Sequence, residues 1–193
     1  TERQLLGWPI PYMVYRGEKL RVDRSGITGR LVTDSRWELD FSAGASPPAN
    51  ADDNSVRAGM PDLAPTIELG AELVFEMDAP RANSDLTLNL PIRTVVEIDG
   101  SDINQVGWLS DPNVDLYLRN YVNKWNLGLR AGLLFADAEY HNYYYGVEDR
   151  FATDMRPAYK TSGGYSGTFL ISSLSQRFDR FWVGMFARYD NLE

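Results

Sequence analysis

The sequence predicts an antiparallel, up-and-down transmembrane β-barrel, and three observations carry that expectation. The first is alternation. Between Pro61 and Glu97, Ile67, Leu69, Ala71, Leu73, Phe75 and Met77 fall on one face of an extended chain; Thr66, Glu68, Gly70, Glu72, Glu76 and Asp78 fall on the other, with Val74 the single apolar intruder. A period of two sends successive side chains to opposite faces of a strand, whereas a helix would set Glu beside Leu on every face. The second is that the polar faces carry mid-strand charges (Glu72, Arg93, Arg130, Arg188) and glycines (Gly44, Gly70, Gly128, Gly132, Gly184), which suit a narrow wet lumen. The third is that Trp8, Trp37, Trp125 and Phe181 stand at or near strand starts that share one rim, as an aromatic girdle would. A soluble, lipocalin-like barrel also alternates, with its apolar face inward. Alternation therefore leaves open which face is enclosed; the charges, glycines and rings favour the membrane form.

The elements follow in order. Trp8, Ile10, Tyr12 and Val14 alternate before a tight turn at Arg16 to Lys19. Ile27, Gly29 and Leu31 form one face of the next strand, ending at Asp34-Ser35. Trp37, Leu39, Phe41, Ala43 and Ala45 then oppose Glu38, Asp40, Ser42 and Gly44. A long polar stretch leads into the central hairpin, which turns at Ala79 to Ser84 and returns through Leu86, Leu88, Leu90, Ile92 and Val96. Ser101 to Pro112 reads as a medium loop. Val114, Leu116 and Leu118 alternate with Asp115, Tyr117 and Arg119, and a turn at Asn123-Lys124 leads into Trp125 to Phe135. A second long stretch, Ala136 to Ser162, has room for one helix at Ala138 to Val147. Strands at Gly163 to Leu174 and Phe181 to Asp190 complete a set of about nine, each roughly 9–13 residues long. Membrane barrels made of one chain have even strand numbers, so residues 1–193 read as a single barrel domain lacking terminal strands.

The bulk properties exclude several classes. A formal net charge of −8 opposes the phosphate backbone, so nucleic acid is not expected as a partner. With no cysteine there is neither a disulfide framework nor a thiolate metal site. No run reaches the ~18 apolar residues of a transmembrane helix. The single histidine, His141, lies in a tyrosine-rich stretch without a nucleophile motif, and reads as a surface or girdle residue. Asp52-Asp53-Asn54 lacks the spacing of a calcium loop and reads as solvated. No cofactor, metal or catalytic residue is expected.

Four stretches together resemble the MipA/OmpV family of Gram-negative outer-membrane proteins: Asp52 to Gly70 (DDNSVRAGMPDLAPTIELG), Tyr140 to Val147 (YHNYYYGV), Pro157 to Gly167 (PAYKTSGGYSG) and Ala187 to Leu192 (ARYDNL). The order and spacing of these stretches are also similar to the family, over nearly the whole chain. The resemblance implies a barrel of about twelve strands in a complete member. It also implies a non-enzymatic scaffold in the cell outer membrane, joining a murein lytic transglycosylase to a peptidoglycan synthase of the penicillin-binding class. Other members resemble small-solute porins or adhesins.

Two groups of residues are candidates for function. The long loops offer Arg57, Gly59, Met60, Pro61 and Asp62, which combine a turn former, an apolar tip and both signs of charge, and Tyr140, Tyr143, Tyr144 and Tyr145. Tyr is favoured at protein interfaces, and the same rings would also extend an interfacial girdle. The polar strand faces offer Asp40, Glu68, Glu72 and Glu76 against Arg93, Arg119, Arg130 and Arg188, either as a salt-bridged filling or as a selectivity lining. Strand parity puts both long loops at one end. Long loops usually face the exterior, but one further strand ahead of Trp8 would turn them toward the periplasm.

Overall fold

The computed structural model describes residues 15–16, 20–23, 26–53 and 56–192, with side chains from 31, 34–53 and 56–192. The strand at Trp8 to Val14, and Trp8 as a girdle residue, lie outside them. Eleven strands form one antiparallel sheet: β1 (Tyr15–Arg16), β2 (Leu20–Asp23), β3 (Gly26–Thr33), β4 (Trp37–Ser46), β5 (Thr66–Met77), β6 (Ser84–Asp99), β7 (Asp102–Ser110), β8 (Asn113–Val122), β9 (Trp125–Ala136), β10 (Gly164–Arg177) and β11 (Trp182–Leu192). One helix, α1 (Ala138–Tyr145), falls where the sequence left room for it.

The expected loop at Ser101 to Pro112 is instead strand β7. Both β7 and β8 run antiparallel to β6, β7 against Arg93–Asp99 and β8 against Ser84–Asn89, and both then pair with β9. They form one stave broken at Asp111-Pro112, opposite Leu90–Ile92. A proline on each side of the break removes two ladder donors. The Ser110 hydroxyl donates to the Pro91 carbonyl at 2.6 Å, and the Leu133 amide donates to that of Pro112 at 3.0 Å. Counting β7 and β8 together, the sheet has ten strand positions among the described residues; the alternation did not reveal β2, and Arg16, expected in a turn, lies in β1 and pairs with Arg21 of β2. The sheet is open there, with β1 and β11 each paired on one side only.

Burial decides which face is enclosed. Along β4, Trp37, Leu39 and Phe41 are exposed while Glu38, Asp40 and Ser42 are 5%, 2% and 3% exposed. The same inversion continues around the sheet: Asn89, Arg93 and Asn113 are buried, whereas Leu90, Ile92, Val114, Leu133 and Leu170 are exposed. A water-soluble barrel would reverse this. An apolar outer surface and a polar interior are the arrangement that lipid requires.

Aromatic rings bound the apolar surface at both ends. At the end of the short turns, Trp37 packs on Phe75 with ring centroids 4.4 Å apart and Phe178 stacks on Phe181 at 4.7 Å. At the end of the long loops, Trp108 is exposed and Phe135 meets Tyr165 at 5.8 Å.

The strand ends explain themselves locally. Asn123 and Lys124 both take positive φ (49° and 68°), the left-handed pair that a two-residue hairpin turn needs. Between Val95 and Val96 the register against β7 slips, and Gly107 sits at φ 135° opposite Val95. A Cβ at Gly107 would collide with Asp137 and Tyr140, so this glycine leaves the space into which α1 packs.

Candidate functional site

The polar interior is a network of ion pairs along the wall. Arg93 on β6 donates to Glu68 on β5 (2.8 Å) and to Asp111 in the β7–β8 break (2.6 Å). Arg130 on β9 holds Asp115 on β8, its cross-strand partner, through Nε and Nη2 at 2.9 and 2.6 Å. Asn89 donates to Asn113 at 2.8 Å, and Asn113 in turn donates to the Asp111 carbonyl at 2.8 Å. Such charges are tolerated beneath a lipid-facing surface because each has a partner of opposite sign in contact.

Of the expected lining residues, Glu68, Arg93, Arg130 and Arg188 come together around an interior cavity of about 480 Å³. The others lie elsewhere. Asp40 and Glu72 are register partners in the β4–β5 wall, Glu76 is exposed, and Arg119 meets Asp85 at the short-turn end. Glu68, Asp85 and Asp115 pair with arginines of adjacent strands, Asp111 meets Arg93 from the β7–β8 break, and Arg188 pairs with Asp190 on its own strand.

The two long loops close the mouth above this cavity. The chain leaves β9 at Asp137, whose carboxylate caps α1 by accepting the Tyr140 amide at 2.9 Å, and whose own amide donates to Trp108. The helix then lies across the opening with two working faces. Glu139, Asn142, Tyr143 and Gly146 line an outer groove of about 1860 Å³, and Tyr140, His141 and Tyr145 line the interior cavity. The spacing of three and four residues produces this division. Tyr140 and Tyr144 pack at 4.7 Å, and the Tyr144 hydroxyl meets that of Thr66 at 3.3 Å.

The other long loop is pinned onto the helix. Arg57 donates to the Tyr144 carbonyl at 2.8 Å and to the Pro61 carbonyl at 3.3 Å, and the Tyr143 hydroxyl donates to the Ala64 carbonyl at 3.3 Å. Arg156 reaches back to the carbonyls of Val56, Ala58 and Phe151 at 2.8, 3.0 and 2.9 Å. Burial depresses the Arg57 pKa and raises the hydroxyl pKa values of Tyr140, Tyr143, Tyr144 and Tyr145; the bond between Tyr143 and Glu97 adds to its rise. Of the loop candidates, Arg57, Met60, Pro61, Asp62 and Tyr143 meet at the outer groove, Gly59 turns the loop tip at φ 78°, and Tyr140 and Tyr145 face inward. Asp52 and Asp53 are exposed, and no metal-ligating cluster occurs among the described residues.

His141 corrects the expectation of a surface or girdle histidine: it is 8% exposed. Its Nδ1 faces the Ser162 carbonyl at 2.7 Å, which can only accept, so Nδ1 carries a proton; Nε2 meets the Ser166 hydroxyl at 2.6 Å. The ring thus ties α1 to the start of β10. Asp111 and Asn113 also escaped the sequence reading. The Asp115 pair was hidden as well: pairing outward from Val122 and Trp125 at the Asn123-Lys124 turn would set Asp115 opposite Gly132, and only the register shift between Leu118 and Val122 brings it opposite Arg130.

An apolar exterior, an ion-paired interior and aromatic rings at both rims define an outer-membrane β-barrel protein. The chain belongs to the MipA family: the family described as MltA-interacting protein MipA matches residues 1–193. It is similar to outer membrane protein Omp26La of Vibrio anguillarum, 27% identical over 161 residues, covering 79% of this chain and 55% of that protein. It is also similar to outer membrane protein OmpV of Vibrio cholerae, 25% identical over 176 residues, covering 86% of this chain and 62% of that protein. The chain thus spans somewhat over half the length of these relatives. No solved structure matches it significantly.

Proposed function

We propose that this protein is a non-enzymatic scaffold of the outer membrane that binds murein-processing enzymes through the capped mouth of its barrel. The observation that carries this reading is the mutual locking of the two long loops by Arg57 and Arg156, which presents one preorganised surface instead of two independent loops. Preorganisation lowers the ordering cost of binding. The family description supplies the partner class, a murein lytic transglycosylase, and a penicillin-binding protein is the second enzyme such a scaffold would join. The test is capture of a matched lytic transglycosylase by the detergent-purified protein, compared with a deletion of Ser46 to Leu63. Capture by the intact protein and its loss in the deletion supports the scaffold; absent or unchanged capture overturns it.

A second reading, a small-solute porin, draws on the cavity lined by Glu68, Arg93, Arg130 and Arg188. It is the weaker one because α1 and the ion pairs occupy the path. Planar bilayers showing no conductance steps for the intact protein would remove it.

A further inference from the structure

We infer that the outer groove above α1 is a docking site for an extended, basic and partly apolar segment of a partner protein. The inference rests on the scaffold reading and names the chemistry of what that surface takes. Six carboxylates and three cationic side chains line the groove, an excess of three negative charges. The carboxylates come from every side: Asp62 from the first long loop, Glu97 and Asp99 from the end of β6, and Glu139, Glu148 and Asp149 from α1 and the segment after it.

The cations are largely committed. Arg57 is turned toward the Tyr144 and Pro61 carbonyls, and Arg150 lies between Glu148, at 3.0 Å, and the Phe151 ring, at 4.7 Å. Lys160 is left to answer the remaining acids. Between the charges the lining is apolar, from Met60, Leu63, Val106 and Phe151. A partner must bring positive charge to match the rim and aliphatic or aromatic side chains to cover this floor. An extended chain, whose side chains alternate, presents both at once.

The probe is a fluorescent synthetic peptide of alternating Lys and Leu, with an alternating Glu and Leu peptide as its counterpart, titrated by anisotropy against the detergent-solubilised protein. The Lys peptide binds and the Glu peptide does not. The triple variant D99N/E139Q/D149N weakens the Lys peptide by about tenfold at low salt. A control with the same charge change at the short-turn end, D34N/D78N/D85N, leaves binding within about twofold. Equal losses in the two variants would mean attraction to the net charge alone, and equal binding of the two peptides would mean a merely apolar patch; either overturns the proposal. If the peptide fails while transglycosylase capture persists, the groove falls and the scaffold stands. If the peptide binds and capture fails, the scaffold falls and the groove stands.

Discussion

Arg93 reaches Asp111 at 2.6 Å across the one interruption in the β7–β8 stave, while its other terminal nitrogen holds Glu68. The Arg93 side chain is 7% exposed and bridges two carboxylates on separate elements. Arg93→Met therefore leaves Glu68 and Asp111 facing each other with no cation between them. The expected cost is about 3 kcal/mol of stability, measured by urea unfolding in lipid vesicles. Adding Glu68→Gln and Asp111→Asn to Arg93→Met recovers most of it. A single variant as stable as the parent would show that the triad is solvated and unimportant.

Leu90 lies on the lipid face of β6, beside the buried Asn89. Leu90→Arg costs about 2–4 kcal/mol in a bilayer, the penalty of placing a charge in its apolar layer. Tolerance of Arg at Leu90, measured by the same unfolding assay, would argue that this surface meets water.

The cap of α1 is testable by two substitutions. Asp137→Ala removes the acceptor for the Tyr140 amide and loosens the helix by about 1 kcal/mol. Gly107→Val fills the space α1 occupies and displaces it outright. Both should speed proteolysis within residues 137–163, Gly107→Val the more. Unchanged cleavage in Gly107→Val would refute the packing described for the helix.

The pH dependence of the cap follows from its tyrosines. Burial raises the folded hydroxyl pKa of Tyr140 and Tyr143 above the usual value of about 10, so the folded cap favours their neutral forms. That stabilisation is complete below pH about 10 and is lost as pH climbs through the higher folded values. Tyr140→Phe with Tyr143→Phe should remove amplitude from the high-pH end of the tyrosinate absorbance titration. Loss from its low-pH end would contradict the burial.

Orientation can be read in cells with a protease site inserted after Asp53, in the first long loop. The scaffold reading expects protection in intact cells and cleavage once the outer membrane is opened. Cleavage in intact cells would place the cap outside and favour a pore or adhesin.

The fold was legible where alternation was clean. Trp37 to Ser46 and Thr66 to Met77 are strands with the expected faces. Alternation alone could not say which face was enclosed; Asp40 at 2% and Phe41 at 41% exposure settle that. β7 was hidden because the slip at Val95/Val96 and the positive φ of Gly107 reset the period, setting Val106 and Gly107 side by side as buried residues. The ring of His141 was equally hidden. Its burial depends on α1 entering the mouth of the barrel, and four tyrosines that are each apolar and polar give that helix no stripe to read. The pairing of Arg57 with the Tyr144 carbonyl spans 87 positions and has no local signature.

Before the strands pair, the oily surface does not exist. In the extended chain every leucine of Thr66–Met77 has a polar residue, a glycine or a lone valine as its alternate neighbour, and the mean hydropathy of the whole sequence is −0.35. No segment offers the continuous apolar length by which a helical membrane would retain it. A chain written this way can cross one membrane unfolded and travel through water. Only on arrival, as registered strands bring their leucines side by side, does it acquire the surface that holds it in the second.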